Sequence, residues 1–451
     1  MIPTGNDLFG AVVLGGGFLF LVVVAEVWRR LGQPKPEWTR KLVHLGGGVV
    51  SLFFPFLIES PWVVLVMALA LSGMFTLAGR TGFLRSLHGV ERSSRGAEYY
   101  PLAIWVVFLL TPGRPWLYLS AVLVLAVGDA FAALVGSRYG VVRYEVEDEH
   151  KSLEGSLVFL VIAFLAIHLP MLLLTDLSRE TCVLAALLVA VLVTGFEAVS
   201  LQGADNLFVP LGVVIILGKI TTKPLAEIAF QNISLAGIIL ATVLLLLRFP
   251  VFNVGGTIVV ILYAYGNWSL GSWHWALPIF AGLLIYVLLW ATVAWPKDYP
   301  RLRVRVVAGA LVAPALILAA ANGSGRFAML FGPYLAAIAA VFAFAAITPV
   351  FRLFDRRGWK QPMGVIGVTL LTSVVTALPA WAVQPGTPLP ALFAVPAVVL
   401  VVTYILVLID RRSPVRSLRQ WTPSRFLLSV AAAGVILALQ ALRIIPAWIP
   451  F

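Results

Sequence analysis

Asp129 stands in the run GDAFAALVGSRYG (Gly128 to Gly140), and the polar stretch VVRYEVEDEHKSLEGS (Val141 to Ser156) follows at once. A carboxylate within a membrane segment is costly, which makes it a functional candidate by default. Lys151-Ser152-Leu153-Glu154-Gly155-Ser156 leads from the polar stretch into the next apolar segment. Ser152 or Ser156 can cap a helix there, and the free amides of its first turn would face an anion. Lys151 would add a full charge. Gly128 and Ala130 flank Asp129 with small residues, so a ligand can come close to the backbone. Ala133, Gly136 and Gly140 have a spacing that also suits plain helix contact. A cap alone accounts for the serine and the glutamate. Lysine, glycine and the apolar-flanked aspartate together fit a metal ion and a phosphate.

Three further stretches carry candidate groups. In TRKLVHLGGG (Thr39 to Gly48), Arg40 and His44 are four apart and Lys41 and His44 three apart, so all can lie near one helix face. Snorkelling at the membrane surface accounts for Arg40 and Lys41 well, and for His44 poorly. In RGAEYYP (Arg95 to Pro101), two tyrosines before a proline read first as interface anchors, with Glu98 the less easily dismissed residue. In FEAVSLQGADNLFVPLG (Phe196 to Gly212), Glu197 lies inside a helix end and Asp205-Asn206 begin the next apolar run. Their carboxylate and amide oxygens suit Mg²⁺, which prefers hard oxygen ligands and shares them with substrate phosphates.

The elements that must position these groups are membrane helices. The 451 residues are 61% hydrophobic and only 12% charged, with mean hydropathy +1.00. A soluble domain would carry roughly twice that charged fraction. Apolar runs of spanning length recur from end to end, which predicts an all-α polytopic integral membrane protein with roughly 16 transmembrane helices. Leu207–Leu217 is short and reads as either spanning or re-entrant, and Tyr100–Leu110 is short unless it extends into Thr111. The run near Leu8 to Val27 lacks a preceding basic region and a cleavage site, so it reads as a retained helix. The single cysteine, Cys182, excludes an internal disulfide and a thiolate metal cage.

Net charge is +12, yet its distribution argues against nucleic acid as a partner. Six stretches (Arg29 to Lys41, Arg80 to Arg95, Arg138 to Lys151, Lys297 to Arg305, Arg352 to Lys360 and Arg411 to Arg425) hold 25 of the 32 basic residues. The turns between them are nearly bare, which is the positive-inside pattern. It puts the N-terminus outside, these loops in the cytoplasm, and the candidate groups on the cytoplasmic side. The expected location is an integral membrane protein of the prokaryotic inner membrane.

Acids divide the chain. Of the 20 Asp and Glu, 17 precede residue 232. Asp129, Glu197 and Asp205, in or at the ends of apolar runs, all lie there. Residues 1–225 therefore read as the catalytic membrane domain and 226–451 as an additional membrane domain without an intramembrane carboxylate.

RKLVH, GDAFAALVGSRYG, KSLEGS and EAVSLQGADNLFVP, in this order and spacing, resemble the phytol kinase and dolichol kinase family of membrane-bound polyprenol kinases. The resemblance covers residues 1–225, and KSLEGS after GDAFAALVG is its most diagnostic part. It implies transfer of the γ-phosphoryl group of CTP, or of ATP or another nucleoside triphosphate, to the hydroxyl of a long isoprenoid alcohol held in the bilayer. The acceptor class runs from phytol, farnesol and geranylgeraniol to polyprenols such as dolichol, with membrane lipids as surroundings. On that resemblance Gly128, Asp129, Gly136, Gly140, Lys151, Ser152, Glu154, Gly155 and Ser156 line the nucleotide site. Asp129, Glu197, Asp205 and Asn206 hold Mg²⁺, and Arg40, Lys41 and His44 join Asp129 and Lys151 in catalysis. One departure is EVEDEH before Lys151, where Glu145, Glu147, Asp148 and Glu149 would repel a triphosphate unless they face away or hold cations.

The residues agree with phosphoryl transfer, which asks mainly for positioning and charge neutralisation, although no GxxxxGK[ST] loop is present. A CTP-dependent cytidylyltransferase making a CDP-lipid shares the KSLEGS element more loosely. A transporter would place its acids at the bilayer midplane rather than near one face.

Overall fold

The computed structural model describes residues 5–34, 36–81, 96–147, 149–292, 301–353, 360–383, 389–412 and 423–447. Parts of four basic stretches, 82–95, 297–300, 354–359 and 413–422, lie outside the described residues, as does Asp148.

Hydropathy and backbone chemistry dictate the architecture. A backbone in hydrocarbon must satisfy its own amides and carbonyls, so spanning segments are helices. Among the described residues, nine helices are long and apolar enough to cross a membrane, and four shorter apolar helices accompany them. The chain is the all-α polytopic protein that its composition predicts. It divides into two compact units, Met1–Ile233 and Ser234–Phe451.

The first unit begins with α1 (Gly5–Gly32), α2 (Pro36–Ser51), the single turn α3 (Phe54–Leu57), α4 (Pro61–Thr81) and α5 (Gly96–Leu110). Helix α5 stops before Thr111, whose hydroxyl donates 2.8 Å to the Val107 carbonyl. A longer rod follows in three parts: α6 (Pro115–Leu123), a π-helical turn (Val124–Gly128) and α7 (Asp129–Tyr139). An antiparallel hairpin, β1 (Arg143–Val146) with β2 (Glu149–Ser152), then leads into α8 (Leu153–Leu174). The remaining helices of this unit are α9 (Arg179–Val199) and α10 (Asp205–Ile220). The segment expected as spanning or re-entrant, Leu207–Leu217, lies inside α10. The unit boundary passes through α11 (Leu225–Arg248).

The hairpin is the departure from helix that the sequence analysis did not foresee. It holds the acidic stretch EVEDEH, and its register sets Tyr144 opposite Lys151 and Glu145 opposite His150. The turn passes through Glu147, whose φ of 55° lies in the left-handed region.

The second unit runs from α12 (Val254–Gly271) and α13 (Trp273–Thr292) through α14 (Val304–Ser324), α15 (Phe327–Leu353), α16 (Lys360–Val383) and α17 (Leu389–Arg412) to α18 (Pro423–Ala441). Helix α15 forms its axis and packs against α13, α14, α16, α17 and α18. Phe331 and Tyr334 of α15 are fully buried beside Trp275 of α13, and Phe344 is buried further along the same helix. The Tyr334 hydroxyl donates 2.7 Å to the Trp275 carbonyl, so its polar end is satisfied inside the apolar core.

Candidate active site

Asp129 opens α7 at the end of the π-helical turn, a feature often found at functional sites. Its carboxylate is met by α2, where Lys41 and His44 share a face as their spacing requires. The Lys41 ammonium donates 2.7 Å to Asp129 Oδ2 and 3.2 Å to the Asp129 carbonyl. His44 Nε2 stands 3.3 Å from the same Oδ2 and 3.3 Å from the Leu125 carbonyl in the π-helical turn. A carbonyl oxygen only accepts, so Nε2 carries the hydrogen and the neutral ring keeps its lone pair on Nδ1. Lys41 and His44 both fall on one oxygen of the carboxylate.

The close packing here depends on small residues. A side chain at Gly48 would collide with Ala126 of the π-helical turn, so a glycine lets α2 reach the segment that carries Asp129. A Cβ on Gly128 would press on the Phe159 ring at 3.0 Å.

A second cation–carboxylate pair is built from the hairpin. Lys151 donates 2.8 Å to Glu197 Oε1 near the end of α9, and also to the Glu197 carbonyl. Both side chains are largely buried, with 16% and 13% exposure. Lys151 is therefore not the exposed counter-charge of its acidic neighbours. Burial works against its charge, but the Glu197 and Asp205 carboxylates outweigh that and hold its pKa above the usual lysine value. Tyr144, opposite it in the hairpin, shares a 2.7 Å hydrogen bond with Ser156.

Ser152 caps α8: its hydroxyl accepts from the Gly155 amide at 3.1 Å. That amide, expected to face an anion, is thus turned to the cap. Glu154 Oε1 accepts from the Val141 and Val142 amides, each at 3.0 Å, and ties the start of the hairpin to the helix that follows it. Gly136 and Gly155 face each other where α7 crosses α8: a Cβ on Gly136 would stand 2.8 Å from the Ser152 hydroxyl. A side chain on Gly140 would overlap the Gly136 carbonyl. These glycines serve helix contact, one of the two readings their spacing allowed.

Both pairs open onto one cavity of about 1600 Å³ in the first unit. Arg40, Lys41, His44, Asp129, Gly136, Lys151, Ser152, Gly155, Ser156, Glu197, Asp205 and Asn206 all line it. Gly128, Gly140 and Glu154 are not among its lining residues. Of the acidic stretch, Glu149 reaches the cavity, and its carboxylate accepts from the Gln202 amide at 3.4 Å. Asp205 begins α10 within electrostatic reach of Lys151, and Asn206 beside it is buried.

Among the described residues, no three His, Cys, Asp or Glu side chains converge as a ready-made cation cage. Mg²⁺ does not need one, since it keeps waters and takes one or two carboxylates together with phosphate oxygens. Among the described residues, no hydrogen bond reaches Asp129 Oδ1 while Oδ2 is engaged, and Asp205 and Glu197 share its cavity. The donor set suits a cation that arrives with a phosphate chain.

Tyr100 and Tyr144 were missed as site residues. Tyr100 is buried edge-on to His44, ring centroids 5.0 Å apart, rather than set at the surface as an anchor. Nothing in RGAEYYP distinguishes one tyrosine from the other. For Tyr144, the alternation in Arg143-Tyr144-Glu145-Val146 was the available signal, masked by the acids around it.

Over 217 residues, 48% of this chain, the sequence is 36% identical to the phytol kinase of Synechocystis sp., of which it covers 93%. Over 169 residues, 34% of this chain, it is 32% identical to the probable phytol kinase 1, chloroplastic, of Glycine max, of which it covers 54%. No family model matches the chain, and no solved structure matches it. With more than nine-tenths of the cyanobacterial enzyme matched at this identity, the chain belongs to the phytol kinase family, a family of lipid kinases acting on an alcohol.

Proposed function

We propose that the first unit transfers the γ-phosphoryl group of CTP, or of another nucleoside triphosphate, to the hydroxyl of a long isoprenoid alcohol such as phytol. The observation that carries this reading is the facing of two part-buried cation–carboxylate pairs, Lys41–Asp129 and Lys151–Glu197, on one cavity. Buried pairs contribute little net stability, and replacing them with apolar residues is often neutral or stabilising. Here they hold charge in reserve. When a triphosphate enters, Lys41, Lys151 and Arg40 turn to phosphate oxygens, and the carboxylates they release are free for a cation. Asp129, Glu197, Asp205 and Asn206 would hold Mg²⁺, which would neutralise charge on the phosphates as they transfer.

His44 removes the acceptor proton. Its Nε2–H is fixed by the Leu125 carbonyl and Asp129, so Nδ1 is the basic nitrogen. The alcohol oxygen bonds to the γ-phosphorus as the bond to the β–γ bridging oxygen breaks, and the nucleoside diphosphate leaves. Positioning and charge neutralisation supply the rate, as in other phosphoryl transfers. The positive-inside pattern of the basic stretches supports a cavity that opens to the cytoplasmic face of a prokaryotic inner membrane.

The test is incubation of the purified protein with a panel of isoprenoid alcohols and the four γ-labelled nucleotides. Label in the lipid product supports the kinase, and the preferred nucleotide identifies the donor. A lipid that instead carries CMP would establish a cytidylyltransferase.

A further inference from the structure

The cavity that holds the charged groups does not end with them. Its wall continues along one face of α4, where Met67, Ala68, Leu71 and Phe75 stand three, four, seven and eleven residues beyond Val64. From Phe75 to Val64 is eleven steps along the helix, about 16 Å at the usual rise. On the α2 side the lining runs from His44 through Gly47 to Ser51, and Ile104 of α5 adds to it. The polar chamber thus opens into an apolar arm that leads away from Lys41 and Asp129.

Side chains of α1, α2, α4 and α5 form the wall of the arm. Val64, Ala68, Phe75 and Ile104 are buried, whereas Trp62, Val66, Leu69 and Leu77 on α4 are exposed and suit lipid contact. Its far end is closed. Phe18 of α1 stacks on Phe54, with centroids 6.3 Å apart, and both line the cavity. Behind them the elements are sealed together. Asp7 of α1 accepts from the Glu59 and Ser60 amides at 2.8 and 3.1 Å. Gly10 approaches the Leu57 carbonyl too closely to admit any side chain.

We propose that the hydrocarbon tail of the acceptor alcohol threads into this blind arm rather than lying in the bilayer, and that Phe18 and Phe54 form the stop that sets the longest tail admitted. The proposal rests on the kinase reading above. The hydroxyl then sits beside His44 and Asp129, where the arm meets the polar chamber.

The test uses the full chain, with geraniol, farnesol, geranylgeraniol, phytol and a long polyprenol as acceptors. Ala68→Phe plugs the arm midway. It should raise KM about tenfold or more for geranylgeraniol and phytol, since contacts in a hydrophobic pocket discriminate at that level per methylene. KM for geraniol and for the nucleotide should stay within about twofold of wild type. Ala68→Leu, a smaller plug, should give the same pattern at smaller amplitude should the larger side chain disturb folding. Phe54→Ala removes the stop and should raise kcat/KM for the polyprenol relative to phytol by about tenfold. Equal shifts for all acceptors, or none, overturn the proposal while leaving the kinase reading intact. A phytol analogue with a photoreactive tail terminus gives an activity-independent readout. Label on Phe18, Phe54 or Val64 supports the proposal, whereas label on Val66 or Leu69, or an arm that retains phospholipid which the alcohol does not displace, overturns it. An alcohol that labels the arm yet accepts no phosphate from any nucleotide would sink the kinase reading and keep the tail site.

Discussion

Lys151 is the residue whose place the structure defines most sharply. An exposed counter-charge to Glu147 or Glu149 would contribute at most ~1 kcal/mol. Lys151 instead turns inward to Glu197 on the cavity wall. A cation that meets the transferring phosphates there should be worth ~10²–10³ in turnover, by analogy with a single oxyanion donor. Lys151→Met is expected to lower kcat by that order, and Lys151→Arg to recover part of it, because the charge remains while the geometry changes. Glu197→Gln leaves Lys151 buried without its partner and should destabilise by about 3 kcal/mol or more. Adding Lys151→Met to Glu197→Gln should restore most of the thermal stability and none of the activity. If the double variant were as unstable as Glu197→Gln alone, the pair would be structural. Because the Lys151 pKa is raised, its charge and the pair's stabilisation are present at neutral pH and are lost only as pH rises through that raised value. Asp129→Asn should abolish phosphorylation at saturating Mg²⁺ while the protein stays folded. Near-normal turnover would remove Asp129 from the cation site.

At the scale of elements, the site is held by the junction of α7, the hairpin and α8. Glu154 is the clearest case of a residue that serves position rather than chemistry, since its carboxylate takes two backbone amides of the preceding turn. Glu154→Ala leaves both amides without that acceptor and should loosen the start of the hairpin. Hydrogen exchange at Val141 and Val142 should quicken, and KM for the nucleotide should rise more than kcat falls. Unchanged exchange at those amides would refute the tie. Helix existence was legible in the sequence because hydropathy reports on each segment by itself. The hairpin was not, because the acids of EVEDEH mask the alternation of Tyr144 and Val146 and its turn lacks the usual Asn-Gly or Asp-Gly signal. The site's members were legible as residue types in four motifs. Their pairing was not, since Lys41 meets Asp129 across 88 residues and Lys151 meets Glu197 across 46, and no local rule reports such distances.

Across the whole molecule, charge and chemistry are unequally shared. Asp129, Glu197 and Asp205 and the cavity they line belong to the first unit, and the second unit is organised around the apolar axis of α15. The boundary at Ile233 falls inside α11, so a cut must respect that helix. Asn232 of α11 donates 3.0 Å to the Leu184 carbonyl of α9, the helix that carries Glu197 in its last turn. A chain ending at Lys223 removes α11 and this contact. A chain ending at Arg248 keeps both. The longer piece is expected to bind nucleotide and to phosphorylate the alcohol at a rate within about tenfold of the full chain, because every group placed in the chemistry precedes α11. The shorter piece should melt at a slightly lower temperature, as α9 loses the Asn232 hydrogen bond. Interhelical hydrogen bonds in membranes average only about 0.6 kcal/mol, so Asn232→Leu alone should change stability little. Both pieces can be compared by nucleotide binding and thermal unfolding in the same detergent. A well-folded chain ending at Arg248 that binds no nucleotide would show that the second unit supplies part of the site, and would reject the assignment of the chemistry to the first unit alone.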